Sequence, residues 1–442
     1  SVKVYNLILD TKVMLSNDSY LEPTIKALVN CFDFSESDLR SIIDENPNNT
    51  YIVAQKKMDY DLVKRYNEYV DGLDEKESKC IKGVWFESEY ERRYPYSALA
   101  CKVIGFTNDG DDAKEGIEGY YNDYLCGVNG RQYGYINEDS DVETVVSAAI
   151  DGAEVTSTID MEIQSIVEEK IAEYMDEVNP QRIAVVIMNP NNGEILAMAD
   201  DISYDLNSPR DLSPFYSKKE IKAMSDEEKY ENLQKIWRNF CVADSYEPGS
   251  TMKPFTVAAA LEEGVVSKDD TYYCDGGEEV AGRTIHCSGT HDTLDLTGTI
   301  VNSCNDALMQ IGFKLGASAL SNYQTGFGFG VRTGIDLSGE TPGLIYDGDS
   351  MDLATVATNS FGQNLTVNAI QIIAGFSSLV NGGYYYQPHV VKEIKDSEGN
   401  ILENYSKILM KQTITSDTGE FIKDALRETV LSGTGYRAGI KG

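Results

Sequence analysis

The chain has 442 residues, room for two or three domains and a substantial core. Its 72 acidic against 38 basic side chains give a formal net charge of -34, which excludes nucleic acid and anionic lipid surfaces as partners because both would repel it. No stretch approaches the roughly 20 apolar residues of a membrane-spanning helix, and Ser1–Asp10 is too short, and lacks the small-residue cleavage site, for a signal peptide.

In chain order, Tyr20 to Tyr69 is charged and amphipathic, with Leu39, Ile42 and Ile43 at helical spacing, and is expected to form short helices. Arg92 to Ala153 is rich in Gly, Tyr and Asp and reads as loops; the composition shift near Gly152 divides the chain into 1–152 and 153–442. Asp160 can cap a helix whose Ile163, Ile166, Val167 and Ile171 form one stripe. Ile183–Met188 and Glu194–Ala199 then read as two strands, joined through Asn189-Pro190-Asn191-Asn192-Gly193 as an antiparallel hairpin. Ser213 to Asn239, dense in charge, is expected to be an exposed helical insert; a solvated helix is the plainer reading of it, and a lid or partner surface the functional one.

The chemistry is concentrated in Glu247-Pro248-Gly249-Ser250-Thr251-Met252-Lys253, followed by an apolar run, and in Val301-Asn302-Ser303-Cys304-Asn305-Asp306 some fifty residues later. Ser250 and Lys253, three apart on the first turn of a helix, share a face. A serine hydroxyl is a poor nucleophile at neutral pH and needs a base, which a lysine supplies if it is kept neutral. The pattern points to acyl transfer. Ser303 and Asn305 alone would read as an ordinary helix start; beside Ser250 and Lys253 they read as catalytic, with Cys304 between them a packed thiol turned away from both. No His-Glu-x-x-His, Gly-x-Ser-x-Gly or phosphate-loop signature is present; Gly326-Phe327-Gly328-Phe329-Gly330 lacks the Gly-Lys-Ser/Thr ending.

Of eight cysteines, Cys274 and Cys287 enclose a short loop with His286 inside it and His291 just beyond. A disulfide, a reduced pair and a structural zinc site all fit. The zinc reading takes Cys274, Cys287 and His291 as ligands, with the fourth among Asp275, His286 and Asp292. Cys31, Cys80, Cys101, Cys126 and Cys241 show no metal-ligand spacing.

With these motifs the chain resembles the class B penicillin-binding proteins, serine transpeptidases of the superfamily defined by three active-site motifs. Arg93-Tyr94-Pro95, Ile104-Gly105-Phe106, Gly116-Ile117-Glu118 and Leu125-Cys126-Gly127-Val128-Asn129-Gly130 resemble that family's N-terminal module, and Thr158 to Gln164 the entry to its catalytic domain. Thr333-Gly334-Ile335-Asp336-Leu337, Ser360-Phe361-Gly362-Gln363 and Asn381-Gly382-Gly383 follow in the family's order; Tyr204 to Arg210 resembles its septation and sporulation branch.

The resemblance implies an α+β or α/β architecture: a mixed pedestal or dimerisation-like domain over 1–152, then a β-lactamase-like transpeptidase domain over 153–442 with an antiparallel sheet flanked by helices. It implies a D,D-transpeptidase cross-linking peptidoglycan stem peptides and acylated by β-lactams. Ser250 would attack the D-Ala-D-Ala carbonyl, Lys253 take its proton, Ser303 relay it to the leaving D-alanine, and Asn305 bind the substrate amide. Catalysis requires no cofactor. The implied partners are stem peptides, a polytopic glycosyltransferase and other cell-wall synthesis proteins. The implied location is the outer face of the cell membrane, with the anchor absent from this chain. One departure is the third motif, Lys-Thr/Ser-Gly: Gly433-Thr434-Gly435 precedes its usual place, and Lys441-Gly442 reads as the approach to that strand, so the domain is expected to be truncated at its C-terminus. A β-lactam sensor, or a catalytically incomplete scaffold, is the alternative.

Overall fold

The computed structural model describes residues 1–107, 115–136 and 142–440. The chain packs as two compact units, Ser1–Pro95 and Tyr96–Gly442.

In the first unit, the apolar run at the N-terminus forms the central strand, Val2–Leu9, of a three-stranded antiparallel sheet with Ile52–Met58 and Val84–Glu91 at its edges. Leu7 and Leu9 are buried with Leu28, Phe32, Leu39, Ile43 and Tyr66 from the helices Leu21–Cys31, Glu36–Glu45 and Tyr60–Asp71. The helical reading of Tyr20–Tyr69 therefore needs one correction. Ile52–Met58 is a strand, held by its ladder to Val2–Leu9, a partner more than forty residues away that local periodicity does not register.

In the second unit, Ala184–Met188 and Ile195–Asp200 form the expected antiparallel hairpin. Helix Met161–Val178, capped by the Asp160 carboxylate accepting N–H bonds from Glu162 and Ile163, packs on it. Its inner stripe is Ile163, Val167 and Ile171, spaced by four, against Ala197 and Ala199. Ile166, grouped with them by sequence, is exposed, one residue off that row. A second ladder pairs Glu154–Ser157 with Val391–Lys395, which also pairs with Ile401–Asn404. The paired strands are thus antiparallel, in ladders of two or three.

The helical layer contains Lys253–Glu262, Asn305–Leu315, Leu353–Ser360, Ala369–Val380 and Ser416–Leu431, contributing to one core that includes Phe255, Leu308, Phe327 and Leu379. The stretch read as loops between Arg92 and Ala153 contains the short helices Cys101–Ile104, Gly116–Tyr120 and Asn122–Leu125 and a hairpin of Arg131–Ile136 with Val142–Ser147. Ala100, Val103, Ile117 and Tyr121 share a core with Met188, Ile195, Ile370 and Val390. Packing therefore divides the chain at Pro95, whereas composition changes near Gly152. The charged insert forms helices Lys218–Ala223 and Asp226–Trp237, each opened by a capping box, Ser217 with Glu220 and Ser225 with Glu228. Only the second buries residues, Leu233, Ile236 and Trp237. No helix among the described residues is long and apolar enough to cross a membrane.

Candidate active site

Ser250 lies in a single 3-10 turn, Gly249–Met252, that runs directly into helix Lys253–Glu262. Every residue from Lys253 to Ala260 is buried, so the helix passes through the core, while Ser250 one turn earlier is open to solvent. Lys253, 1% exposed, thus comes up beneath the nucleophile from inside the protein. Its Nζ donates to Ser303 O at 2.5 Å and to Ser303 Oγ at 2.8 Å, and Ser303 Oγ donates to Ser250 Oγ at 3.0 Å. The connection from lysine to nucleophile runs through Ser303. Burial pushes the Lys253 ammonium down to about 8; thiolate at Cys287 or Cys304 would act in the opposite direction.

Ser303 is held at φ +52°, in the left-handed region that a non-glycine residue seldom occupies. It lies in the break between helix Leu296–Val301 and helix Asn305–Leu315. The cap of the second helix is Cys304, not a hydroxyl or amide: its Sγ accepts from the Ala307 N–H. Asn305 is the first helical residue. Its Nδ2 donates to His286 O at 3.4 Å, and its backbone N–H donates to Cys287 Sγ at 3.2 Å. Sequence reasoning named the four polar residues but missed that the end of the hairpin pairing Gly277–Val280 with Arg283–His286, together with the adjoining Cys287, holds Asn305 in place. Gly433 to Gly435 follows helix Ser416–Leu431, and Thr434 N–H donates to Val301 O, at the entry to the second motif. Lys441 and Gly442 lie outside the described residues.

Beside this centre, ligand atoms of Cys274, Cys287, His291 and Cys304 all fall within 4.8 Å of one another. His291 Nδ1 is 3.5 Å from Cys274 Sγ and 3.6 Å from Cys287 Sγ, and Cys287 and Cys304 Sγ are 3.8 Å apart. A tetrahedral ion with sulfur bonds of about 2.3 Å has ligand–ligand edges of about 3.8 Å, so the donor types and these three separations are compatible with zinc. The side chain that joins Cys274, Cys287 and His291 is Cys304, which sequence reasoning did not group with them. Asp275, His286 and Asp292 are solvent-exposed, whereas Cys304 is fully buried and turned into the group. All eight cysteines are free thiols in the structure, Cys274 and Cys287 included. Burial raises the Cys274 and Cys304 thiols. At Cys287 burial also opposes ionisation, but N–H bonds from Asp306, Gly289 and Asn305 outweigh it and bring the thiol to about 6.

Residues 183–442 match the penicillin binding protein transpeptidase domain, and residues 1–157 the penicillin-binding protein dimerisation domain. The chain is 32% identical over 418 residues to stage V sporulation protein D of Bacillus subtilis, covering 92% of this chain and 62% of that protein. It is 26% identical to the peptidoglycan D,D-transpeptidase FtsI of Escherichia coli, over 94% of this chain and 65% of that protein. It therefore spans less than two thirds of either relative's length. In fold it is similar to penicillin binding protein 2X from Streptococcus thermophilus, with a TM-score of 0.77 and 19% identity over 96% of this chain and 63% of that one.

Proposed function

The chain belongs to the penicillin-binding protein transpeptidase family, and from that premise we propose that it is a D,D-transpeptidase that cross-links peptidoglycan stem peptides through an acyl-enzyme on Ser250 and is acylated by β-lactams. The observation that carries this reading is the hydrogen-bonded chain Lys253–Ser303–Ser250, with the lysine's proton affinity lowered by burial. With Lys253 neutral its amine accepts and the two hydroxyls reverse their bonds, so Ser250 gives its proton to Ser303 Oγ and Ser303 gives its own to Lys253 Nζ as the Ser250 oxygen attacks the carbonyl between the two D-alanines. Ser303 returns a proton to the leaving D-alanine. Asn305, its side chain tethered to His286 O, hydrogen-bonds the donor peptide's amide. The Ser250 N–H, at the open turn preceding the helix, supplies one oxyanion donor. Attack by an amine of a second stem peptide then forms the cross-link and releases the enzyme.

We assign residues 153–442 to catalysis and 1–152 to a pedestal that engages other cell-wall synthesis proteins, a polytopic glycosyltransferase among them, at the outer face of the cell membrane. The 32% identity to stage V sporulation protein D, against 26% to FtsI, supports placing the chain in the septation and sporulation branch. Catalysis by these residues calls for no cofactor. We further assign a structural zinc to Cys274, Cys287, His291 and Cys304, on the strength of their spacing and donor chemistry.

The test is intact-mass spectrometry of the full-length protein with benzylpenicillin, run in denaturing and native modes. A penicilloyl adduct lost in Ser250→Ala is expected; an adduct that survives the substitution overturns the assignment. A native mass excess of one zinc, removed by chelator and lost in Cys304→Ala, is expected; metal-free protein from zinc-replete cells would overturn the zinc site.

A further inference from the structure

The extended segment entering the nucleophile's turn is stitched to a loop of the helical layer. Tyr246 and Val367 exchange backbone hydrogen bonds at 2.9 and 3.0 Å, and Gly249 N–H donates to Gly362 O at 2.8 Å. The Glu247 carboxylate accepts the Asn364 N–H at 2.9 Å. The loop is fixed in turn from below: Gly362 N–H donates to Asn359 O and Gln363 N–H to Thr358 O. The fully buried Asn359 amide donates to the carbonyls of Gln363 and Asn364. Thr256, on the nucleophile's own helix, donates its hydroxyl to Ser360 O.

Two glycines meet at this seam, and their surroundings differ. Gly249, at φ +55°, has nothing within 4 Å of where a Cβ would lie, so no packing around its own Cβ position fixes the residue preceding Ser250. Gly362, at φ +86°, is pressed against it: a Cβ there would lie 2.0 Å from Gly249 O and 2.8 Å from its carbonyl carbon and nitrogen. A side chain at 362 cannot be held in this approach without shifting the seam between Gly362 and the Gly249 peptide, the residue next to Ser250.

We propose that Gly362 and Glu247 are positioning residues for Ser250, Gly362 by the close backbone approach and Glu247 by locking the register through Asn364. This rests on reading Ser250 as the acylated nucleophile. Neither residue acts on the substrate; both set where the attacking oxygen lies relative to Ser303 and Lys253. Misplacement of a reacting atom by a fraction of an ångström to one ångström lowers the rate of bond formation while leaving prior binding nearly intact.

The experiment is pre-steady-state acylation of the full-length protein by a fluorescent penicillin, separating the dissociation constant of the first complex from the acylation rate constant, with the acylatable fraction titrated in each sample. Gly362→Ala is expected to lower the rate constant on the order of 10- to 100-fold with the first dissociation constant almost unchanged. Glu247→Ala is expected to lower it about three- to tenfold, the loss of one modest hydrogen bond. Glu247→Gln, whose amide oxygen still accepts from Asn364, is expected to restore it. Unchanged rate constants in both Gly362→Ala and Glu247→Ala overturn the inference. So does a loss confined to the acylatable fraction or thermal midpoint, since that is what a merely structural role gives. Should Gly362→Ala fail to fold, the Glu247 pair decides alone. No adduct on the unsubstituted protein is a different failure, that of the Ser250 reading itself.

Discussion

In the proposed mechanism Lys253 is the base, a role open to it because it is almost wholly enclosed and burial disfavours its ammonium form. Two pH effects of known sign follow from a folded value of about 8 against 10.5 for the free side chain. Acylation should fall about tenfold per pH unit below about 8 and level off above it, a profile read directly from penicillin acylation rates. Stability runs in the same direction for a different reason. Between about 8 and 10.5 the unfolded chain holds a proton at this lysine that the folded one has released, so stability rises with pH across that window. Below it the burial penalty is complete, and Lys253→Met should raise the thermal midpoint at pH 7, by an amount that shrinks as pH approaches 10.5. Ser303 is the other residue on which the proposed mechanism depends, since its hydroxyl hydrogen-bonds both Lys253 and Ser250. Ser303→Ala should reduce acylation about 100-fold or more with the fold intact by circular dichroism.

At the level of elements, helix Lys253–Glu262 is buried along almost its whole length, and so brings Lys253 beneath the open Ser250 turn from inside the core. Phe255 anchors it, edge-on to Phe327, Phe329 and Phe376 with ring centroids 4.9 to 5.0 Å apart. Phe255→Ala should destabilise the protein by about 3–5 kcal/mol in denaturant unfolding, through lost burial plus a cavity that rigid neighbours cannot close. The ribbon that pairs Thr271–Cys274 with Asp292–Asp295 is a different kind of element. Its strands have four residues each, and its inward-facing side chains Tyr272, Cys274 and Leu294 join the apolar core, with the Cys274 thiol also facing Cys287, His291 and Cys304.

Across the second unit, Tyr96–Gly442, distant segments are joined by a buried carboxylate. Asp336 accepts hydrogen bonds from the Val390 and Val391 N–H groups and from the Tyr121 hydroxyl, more than two hundred residues upstream. Asp336→Ala leaves two buried N–H groups and one hydroxyl unpaired, and should lower the unfolding free energy by at least about 3 kcal/mol. Calorimetry would check it. The loss should appear in the transition that includes residues 96–152, because Tyr121 belongs to the same core as the hairpin and Val390.

Much of this was legible in the sequence for a physical reason: spacing along a helix or around a turn is a local property. The Ser250–Lys253 face, the Asp160 cap, the hairpin over 184–200 and the capped, charged insert all follow from side chains within a few residues of one another. Cys274, Cys287 and His291 also came together as their clustering suggested. What the local pattern could not carry was anything decided by a distant partner. Ile52–Met58 is a strand because Val2–Leu9 pairs with it. Ile166 faces water because the hairpin meets the other row of its helix. Cys304 completes the thiol cluster because the break at Ser303 turns it inward, toward a ribbon some fifteen to thirty residues upstream. The chain order alone determined which groups were available for chemistry; the tertiary fold decided which of them touch, because contact between remote segments depends on the core they share.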